Sequence, residues 1–269
     1  MLQKGNKRTI TGWVFYDWAN SVYPLIISSA IFPILYETQT SVKNDAGKTI
    51  YDTVSFFGRA FHNTEFYAYV ICLSYIIVAL ITPLLSGIAD AGGKRKLFMQ
   101  FFCYMGALSS GLLYFFQTPP SGELGQSPFL INWSMLPLFF GSIGFWASLV
   151  YYNAYLPDIA EAKDHDRVSA RGFSMGYFGS SILLIVILIL TVFTKVLPIR
   201  WAFPLVSLWW IAFATFSFSR LPKTNATQKD SKNLISKGYS EVFGVWKQIR
   251  ANKTLKGYLS SYFMFNMAV

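Results

Sequence analysis

Apolar and polar positions alternate along this chain in long blocks rather than short repeats. Six apolar stretches run at about Trp13–Tyr36, Phe66–Ala89, Leu97–Gln117, Leu130–Asn153, Phe173–Phe193 and Ile199–Phe218. Each is roughly 20 residues or more, enough at ~1.5 Å rise per residue to cross a ~30 Å hydrocarbon core. Their length is about twice that of a barrel strand, and they lack period-two alternation, so they read as helices. A strip of helical spacing also runs along the first stretch. Asp17, Asn20, Ser21, Pro24 and Ser28 recur every three or four residues and fall on one face.

The intervals between the stretches set the topology. Counted alternately from the N-terminus, one set holds 18 of the 23 Lys and Arg residues and the other holds five. The rich set is Lys4, Lys7 and Arg8; Lys94, Arg95 and Lys96; Lys163, Arg167 and Arg171; and the run from Arg220 to Lys256. Basic residues concentrate on the cytoplasmic side of membrane proteins, so the expectation is six spans with the N-terminus in the cytoplasm. In a bacterium the membrane would be the plasma (inner) membrane. Aromatics near the span ends (Trp13, Tyr36, Tyr67, Trp133, Tyr151, Tyr152 and Trp201) suit interfacial belts.

Between the spans, Asn44-Asp45-Ala46-Gly47 in the long segment from Glu37 to Glu65 reads as a turn, and Pro119-Pro120-Ser121-Gly122 as a short rigid loop. Three regions follow: 1–220 as a six-span bundle, 221–254 as a polar cytoplasmic linker, and 255–269 as the start of a seventh helix. Within the linker, Ile235, Tyr239, Val242, Trp246 and Ile249 keep helical spacing beside Lys237, Lys247 and Arg250. That pattern fits a basic amphipathic helix on the inner leaflet, either as a connection between membrane halves or as a binding element. The apolar tail is too short to span, so the chain reads as part of a longer one.

Composition narrows the class. With 53% hydrophobic, 18% aromatic and 13% charged residues, the chain is far more apolar than a soluble domain. Its net charge of +10 lies at membrane edges, which favours anionic lipid over nucleic acid as partner. Cys72 and Cys103 fall inside spans and imply no disulfide framework. There is no phosphate-binding glycine loop, no His/Cys metal cluster and no nucleophile elbow, so neither an enzyme nor a cofactor is expected.

Three clusters could carry function. Asp17 is a carboxylate within a membrane helix, which is costly and by default a functional hypothesis. With Asn20 and Ser21 it could line a substrate path, aided by a bend at Pro24; equally, it could form a structural ion pair or cap near the interface. The second cluster is Ser86 to Lys96. Asp90 ends its own helix and opposes that helix's dipole, so it wants a basic partner, while Lys94, Arg95 and Lys96 hold the loop at the inner face. The third runs from Tyr152 to Ala160 and on to Asp164, Asp166, Arg167 and Arg171. Asp158 and these charges could form a salt-bridge latch, or an ordinary solvated loop. Small residues (Gly141, Gly144 and Ser148; Gly172, Gly176 and Ser180) mark close helix packing.

The loop Ser86–Lys96 resembles the signature between helices two and three of the major facilitator superfamily, Gly-x-x-x-Asp-Arg-x-Gly-Arg-Arg. Asp90, Gly93, Lys94 and Arg95 match it; Ser86 and Ala91 depart from it. More specifically, Tyr16-Asp17-Trp18-Ala19-Asn20-Ser21 with Tyr23 resembles the first helix of the branch related to autophagy-associated vacuolar amino-acid effluxers. The segments Tyr152–Ala160 and Asp166–Gly172 are similar to that branch too. The resemblance covers the first half of a twelve-helix fold. It implies an all-α membrane bundle working by alternating access, with a small solute, of which amino acids are the suggested class, held between two six-helix halves. On this reading Asp17, Asn20, Ser21, Tyr16 and Tyr23 serve the path. Asp90, Gly93, Lys94, Arg95, Asp158, Asp166, Arg167 and Arg171 form a cytoplasmic gate. The missing half or a second copy is the implied partner. The rival reading is a truncated product or a non-transporting scaffold that dimerises.

Overall fold

Asn6 starts the first helix by accepting hydrogen bonds from the backbone of Arg8 (2.9 Å) and Thr9 (3.3 Å), so that helix begins ahead of its apolar stretch. In this computed structural model, described over residues 4–91, 93–123, 125–222, 243–244 and 247–268, the first span runs continuously over Lys7–Thr40. At 84, 87, 88, 90, 91, 263 and 266–268 the description is of the backbone alone. Helix α1 (Lys7–Asn20) passes into a π-helical stretch, Tyr23–Ile31, and then into α2 (Phe32–Thr40). The proline signal explains the change of pitch. Pro24 has no N–H to donate, and the wider i→i+5 turns accommodate the gap. The Ser29 hydroxyl donates to the freed Pro24 carbonyl at 2.9 Å.

The remaining spans are α3 (Asn63–Ala91), α4 (Arg95–Leu112), α5 (Leu136–Asn153), α7 (His165–Leu188) and α8 (Ala202–Arg220). The short α6 (Leu156–Ile159) follows α5, and α9 (Lys253–Ala268) lies where a seventh helix was expected to start. Six helices among the described residues are long and apolar enough to cross a membrane, in the number and order the pattern predicts. The linker and its amphipathic helix fall outside the described residues apart from 243–244 and 247–252.

The loops hold structure that the apolar blocks do not foretell. Strands β1 (Val42–Lys43) and β2 (Thr49–Tyr51) pair around the expected Asn44–Gly47 turn, where the Asn44 side chain accepts from Lys48 N at 2.8 Å. Strands β3 (Thr53–Phe56) and β4 (Arg59–His62) form a hairpin through Phe57 and Gly58, both at positive φ (47° and 82°). Strand β5 (Phe129–Leu130) adds to β3 in parallel, giving the order β4-β3-β5. This small sheet ties the segment after the first span to the segment before the fourth.

Two units organise the chain: Met1–Val78 with Lys96–Lys223, and Ala79–Arg95 with Thr224–Val269. In the first unit α1 packs against α7 and α8. Ser217 of α8 donates to the Gly12 carbonyl at 2.6 Å, and Trp209 donates to the Trp18 carbonyl at 3.2 Å. Gly144 of α5 lies directly on the backbone of Gly106 in α4. Leu108, Leu112, Phe178, Ile185 and Leu208 face outward, as lipid-facing positions must.

The interfacial-belt expectation holds only in part. Trp133 and Trp201 are exposed, but Trp13, Tyr36, Tyr151 and Tyr152 are buried in the bundle. Their rings are consumed by packing: Trp13 stacks on Tyr152 with centroids 4.2 Å apart and planes 12° from parallel.

Candidate functional site

The geometry around Asp17 starts from glycines. Gly172 of α7 faces the Asp17 carboxylate so closely that a Cβ there would overlap Oδ2, and it would lie 3.1 Å from the Trp13 ring. Gly176 is as close to the Ser21 hydroxyl, and a Cβ at Gly179 would lie 2.8 Å from the Trp18 ring. Glycine at these positions lets α7 reach the polar face of α1. The small-residue spacing was legible as packing; that it seats the membrane carboxylate was not.

Asp17 is only 8% exposed. Its Oδ2 accepts a 2.7 Å hydrogen bond from the Tyr152 hydroxyl of α5. Tyr152 is itself held: the Trp13 indole N–H donates to its carbonyl at 3.0 Å beneath the stacked rings. Among the described residues Asp17 has this hydroxyl but no cation. The structural ion pair considered from sequence is therefore replaced by a neutral hydrogen bond, and most of the carboxylate's capacity stays unused.

One helical turn on, Asn20 is 1% exposed, and its side-chain nitrogen has no hydrogen-bond partner among the described residues. A buried amide left unmatched is expensive, of the order of 1–3 kcal/mol, and calls for an explanation. Asp17 and Asn20 both line a cavity of 340 Å³, with Ser21, Pro24, Leu25 and Ser29 from the first span. Phe145 and Leu149 of α5 and Phe173, Tyr177 and Ser180 of α7 complete the wall. Phe173 and Tyr177 are largely exposed, so the cavity opens between α1 and α7.

The expected polar stripe is shifted by one residue at its far end. Ser29, not Ser28, lines the cavity. Helical spacing predicts Ser28, but the π-helical stretch takes more residues per turn and moves the face on by one. Tyr16 and Tyr23, grouped with the path by resemblance, stand behind the cavity wall and do not line it. Tyr16 is fully buried against Tyr152 and Phe218, at centroid distances of 5.0 and 5.7 Å. Tyr23 shares a 2.8 Å hydrogen bond with Ser142 and stacks on Phe145. Tyr152, Phe173 and Tyr177 are site residues that residue-level reasoning passed over, because an aromatic in an apolar helix carries no sign of which way it faces.

The expected gate residues lie in three places. Asp90 is described by its backbone alone. After α3 the chain turns with Lys94 N donating to the Ala89 carbonyl at 2.8 Å and Gly93 at φ 62°. Lys94 is exposed, and Arg95 is partly buried as the first residue of α4. Asp158 is partly buried in α6. Asp166, Arg167 and Arg171 are exposed on the first turns of α7. Arg167 reaches Asp164 at 3.0 Å rather than Asp166, and Lys163 pairs with Glu161 at 2.7 Å. The Lys163 ammonium holds the Glu161 carboxyl below its ordinary range, but both are solvated and such pairs contribute little stability. Among the described residues no group of three or more His, Cys, Asp or Glu side chains could hold a metal.

Comparison with known proteins agrees with this arrangement. The family model described as "Vacuole effluxer Atg22 like" matches residues 5–269. An MFS-type transporter of Bacillus subtilis, YxiO, itself described as uncharacterized, is 28% identical over 263 residues, covering 94% of this chain and 55% of that protein. Autophagy-related protein 22 of Yarrowia lipolytica is 31% identical over 126 residues, or 46% of this chain and 20% of that protein. Autophagy-related protein 22-1 of Phaeosphaeria nodorum is 23% identical over 274 residues, covering 77% and 46%. The chain thus spans about half the length, or less, of these relatives. No solved structure matches it. With six apolar spans, a polar first helix and a family match running almost end to end, the chain belongs to the Atg22-like vacuole effluxer family, a major-facilitator type of membrane transporter.

Proposed function

We propose that these six spans form one half of a secondary transporter that moves a small solute by alternating access, with Asp17 and Asn20 in the solute path. The observation that carries this reading is the 340 Å³ cavity in which a buried carboxylate and an unmatched buried amide share one helix face. A soluble zwitterion complements that pair: its ammonium matches Asp17, and its carboxylate accepts from the Asn20 amide. Amino acids are the proposed class on this ground, together with the family resemblance. The opening beside Phe173 and Tyr177 suits a path completed by a further six-helix unit, and the relatives' greater length supports that. The charges from Asp90 to Arg95 and from Asp158 to Arg171 are proposed as the cytoplasmic gate.

The test is flux of a labelled amino-acid mixture into proteoliposomes carrying the protein taken from its own membrane. Saturable flux above empty liposomes supports transport. Absence of flux, with cross-linking that rises with concentration, would favour a dimeric scaffold instead. A companion variant, Tyr152→Phe, removes only the hydroxyl that orients Asp17. Flux should fall to about a tenth with folding retained, the size expected for one hydrogen bond to a charged group.

The orientation is proposed from the Lys and Arg bias, with the N-terminus in the cytoplasm of a plasma-type membrane. In a background with Cys72 and Cys103 replaced by serine, Ala46→Cys should react with an impermeant maleimide in intact cells. Lys163→Cys should react only after the membrane is opened. The reverse pattern would invert the topology.

A further inference from the structure

Further along the first span, the same helix borders a second cavity. It measures 200 Å³ and is lined by Pro33, Tyr36 and Glu37 of α2 and by Asn63, Thr64 and Tyr67 at the start of α3. Glu37 lies twenty residues past Asp17, roughly 30 Å along the helix axis at ~1.5 Å per residue, so the two cavities do not share a carboxylate.

Most polar groups in this cavity are already committed. The Tyr36 hydroxyl donates to the Asn63 carbonyl at 2.8 Å. The Asn63 side chain donates to Thr40 at 3.1 Å and accepts from Thr64 N at 2.7 Å. These bonds fix the Tyr36 ring and tie α2 to α3. What remains for a ligand is the Glu37 carboxylate and the faces of Tyr36 and Tyr67, whose centroids stand 5.3 Å apart with planes at 48°. Two inclined aromatic faces beside a carboxylate form a cation-binding corner.

The chain already answers that chemistry with a side chain of its own. Lys43 of β1 places its ammonium 2.8 Å from the Glu37 carboxylate. The two side chains are 46% and 54% exposed, so this pair is worth little, about 0–1 kcal/mol, and exchanges readily. Lys43 is not among the residues lining the cavity. A ligand ammonium small enough to enter would keep the carboxylate contact and add the two ring faces, which the lysine does not use.

We propose that this cavity is a second cation site, taking a compact alkylammonium group between Tyr36 and Tyr67 with Glu37 as its counter-ion and Lys43 as the exchangeable internal occupant. The site stands whether or not the Asp17 cavity carries a transported solute.

The probe is methylammonium chloride, with tetramethylammonium as a bulkier comparison, added to the full chain in lipid nanodiscs against sodium chloride at equal ionic strength. Binding is read by saturation transfer to the probe's methyl protons, and folding of each variant by its melting temperature. Glu37→Gln should weaken methylammonium binding at least about tenfold, equivalent to ~1.4 kcal/mol. Lys43→Ala should tighten it several-fold by removing the competitor. Tyr67→Phe should bind like the parent and Tyr67→Ala should not. Asp17→Asn should leave the affinity unchanged. Equal affinity in Glu37→Gln, or loss in Asp17→Asn alone, would overturn the site. So would displacement by sodium as effective as that by the alkylammonium, which would mark ordinary counter-ion screening.

Discussion

Asp17→Asn is expected to reduce solute flux to the level of empty proteoliposomes while the protein still inserts and folds. Asparagine has nearly the shape of aspartate and can still accept the hydroxyl of Tyr152, which now donates to Oδ2 at 2.7 Å. What it loses is the charge. A carboxylate inside a membrane helix costs a few kcal/mol or more, and Asp17 is only 8% exposed with no cation beside it among the described residues. Removing that charge should therefore leave the melting temperature unchanged or raise it. This sign separates the two readings left open by the sequence. A residue kept for structure would destabilise the bundle when replaced; a residue kept for the solute would lower flux alone. Flux at the parental level in Asp17→Asn would remove the residue from the mechanism.

The largest structural effect is expected at Gly144. A Cβ there would overlap the Cα and N of Gly106 and stand 2.6 Å from the Phe102 carbonyl oxygen. All three are backbone atoms, which cannot rotate away as a side-chain tip can, so α4 and α5 would have to move apart. Overpacking of this kind costs typically about 1–3 kcal/mol and more where the backbone must shift. Gly144→Ala should lower the melting temperature in detergent by several degrees or prevent recovery of monodisperse protein. Gly257→Ala is the matched control: nothing lies within 4 Å of its added methyl group, and alanine is the better helix former. Equal melting temperatures for Gly144→Ala and the parent would mean that α4 and α5 do not meet at this glycine pair.

Both predictions concern positions that sequence reasoning had singled out by residue type. A lone carboxylate in an apolar stretch and glycines at four-residue spacing stand out without any structure. Their partners do not. Tyr152 was read as an interfacial aromatic, and only the stacking on Trp13 shows that its hydroxyl turns inward to Asp17. Ser29 replaced Ser28 because the period of a helix is a local property that Pro24 alters. The strands between the first two spans escaped notice because segments of two to four residues are too short to show a period.

Span number, order and expected orientation are therefore written in the chain itself, because transfer of roughly twenty residues into hydrocarbon depends on summed side-chain chemistry and hardly on neighbours. The cavity is of another kind. Asp17, Asn20, Phe145 and Tyr177 come from three helices, and their meeting depends on which faces pack and how closely. Gly172 and Gly176 allow that approach, but only the assembled bundle decides what they approach. Hydropathy is additive along a chain, whereas a binding site is a matter of mutual geometry between segments distant in sequence, so the first could be read from residues and the second had to be seen folded.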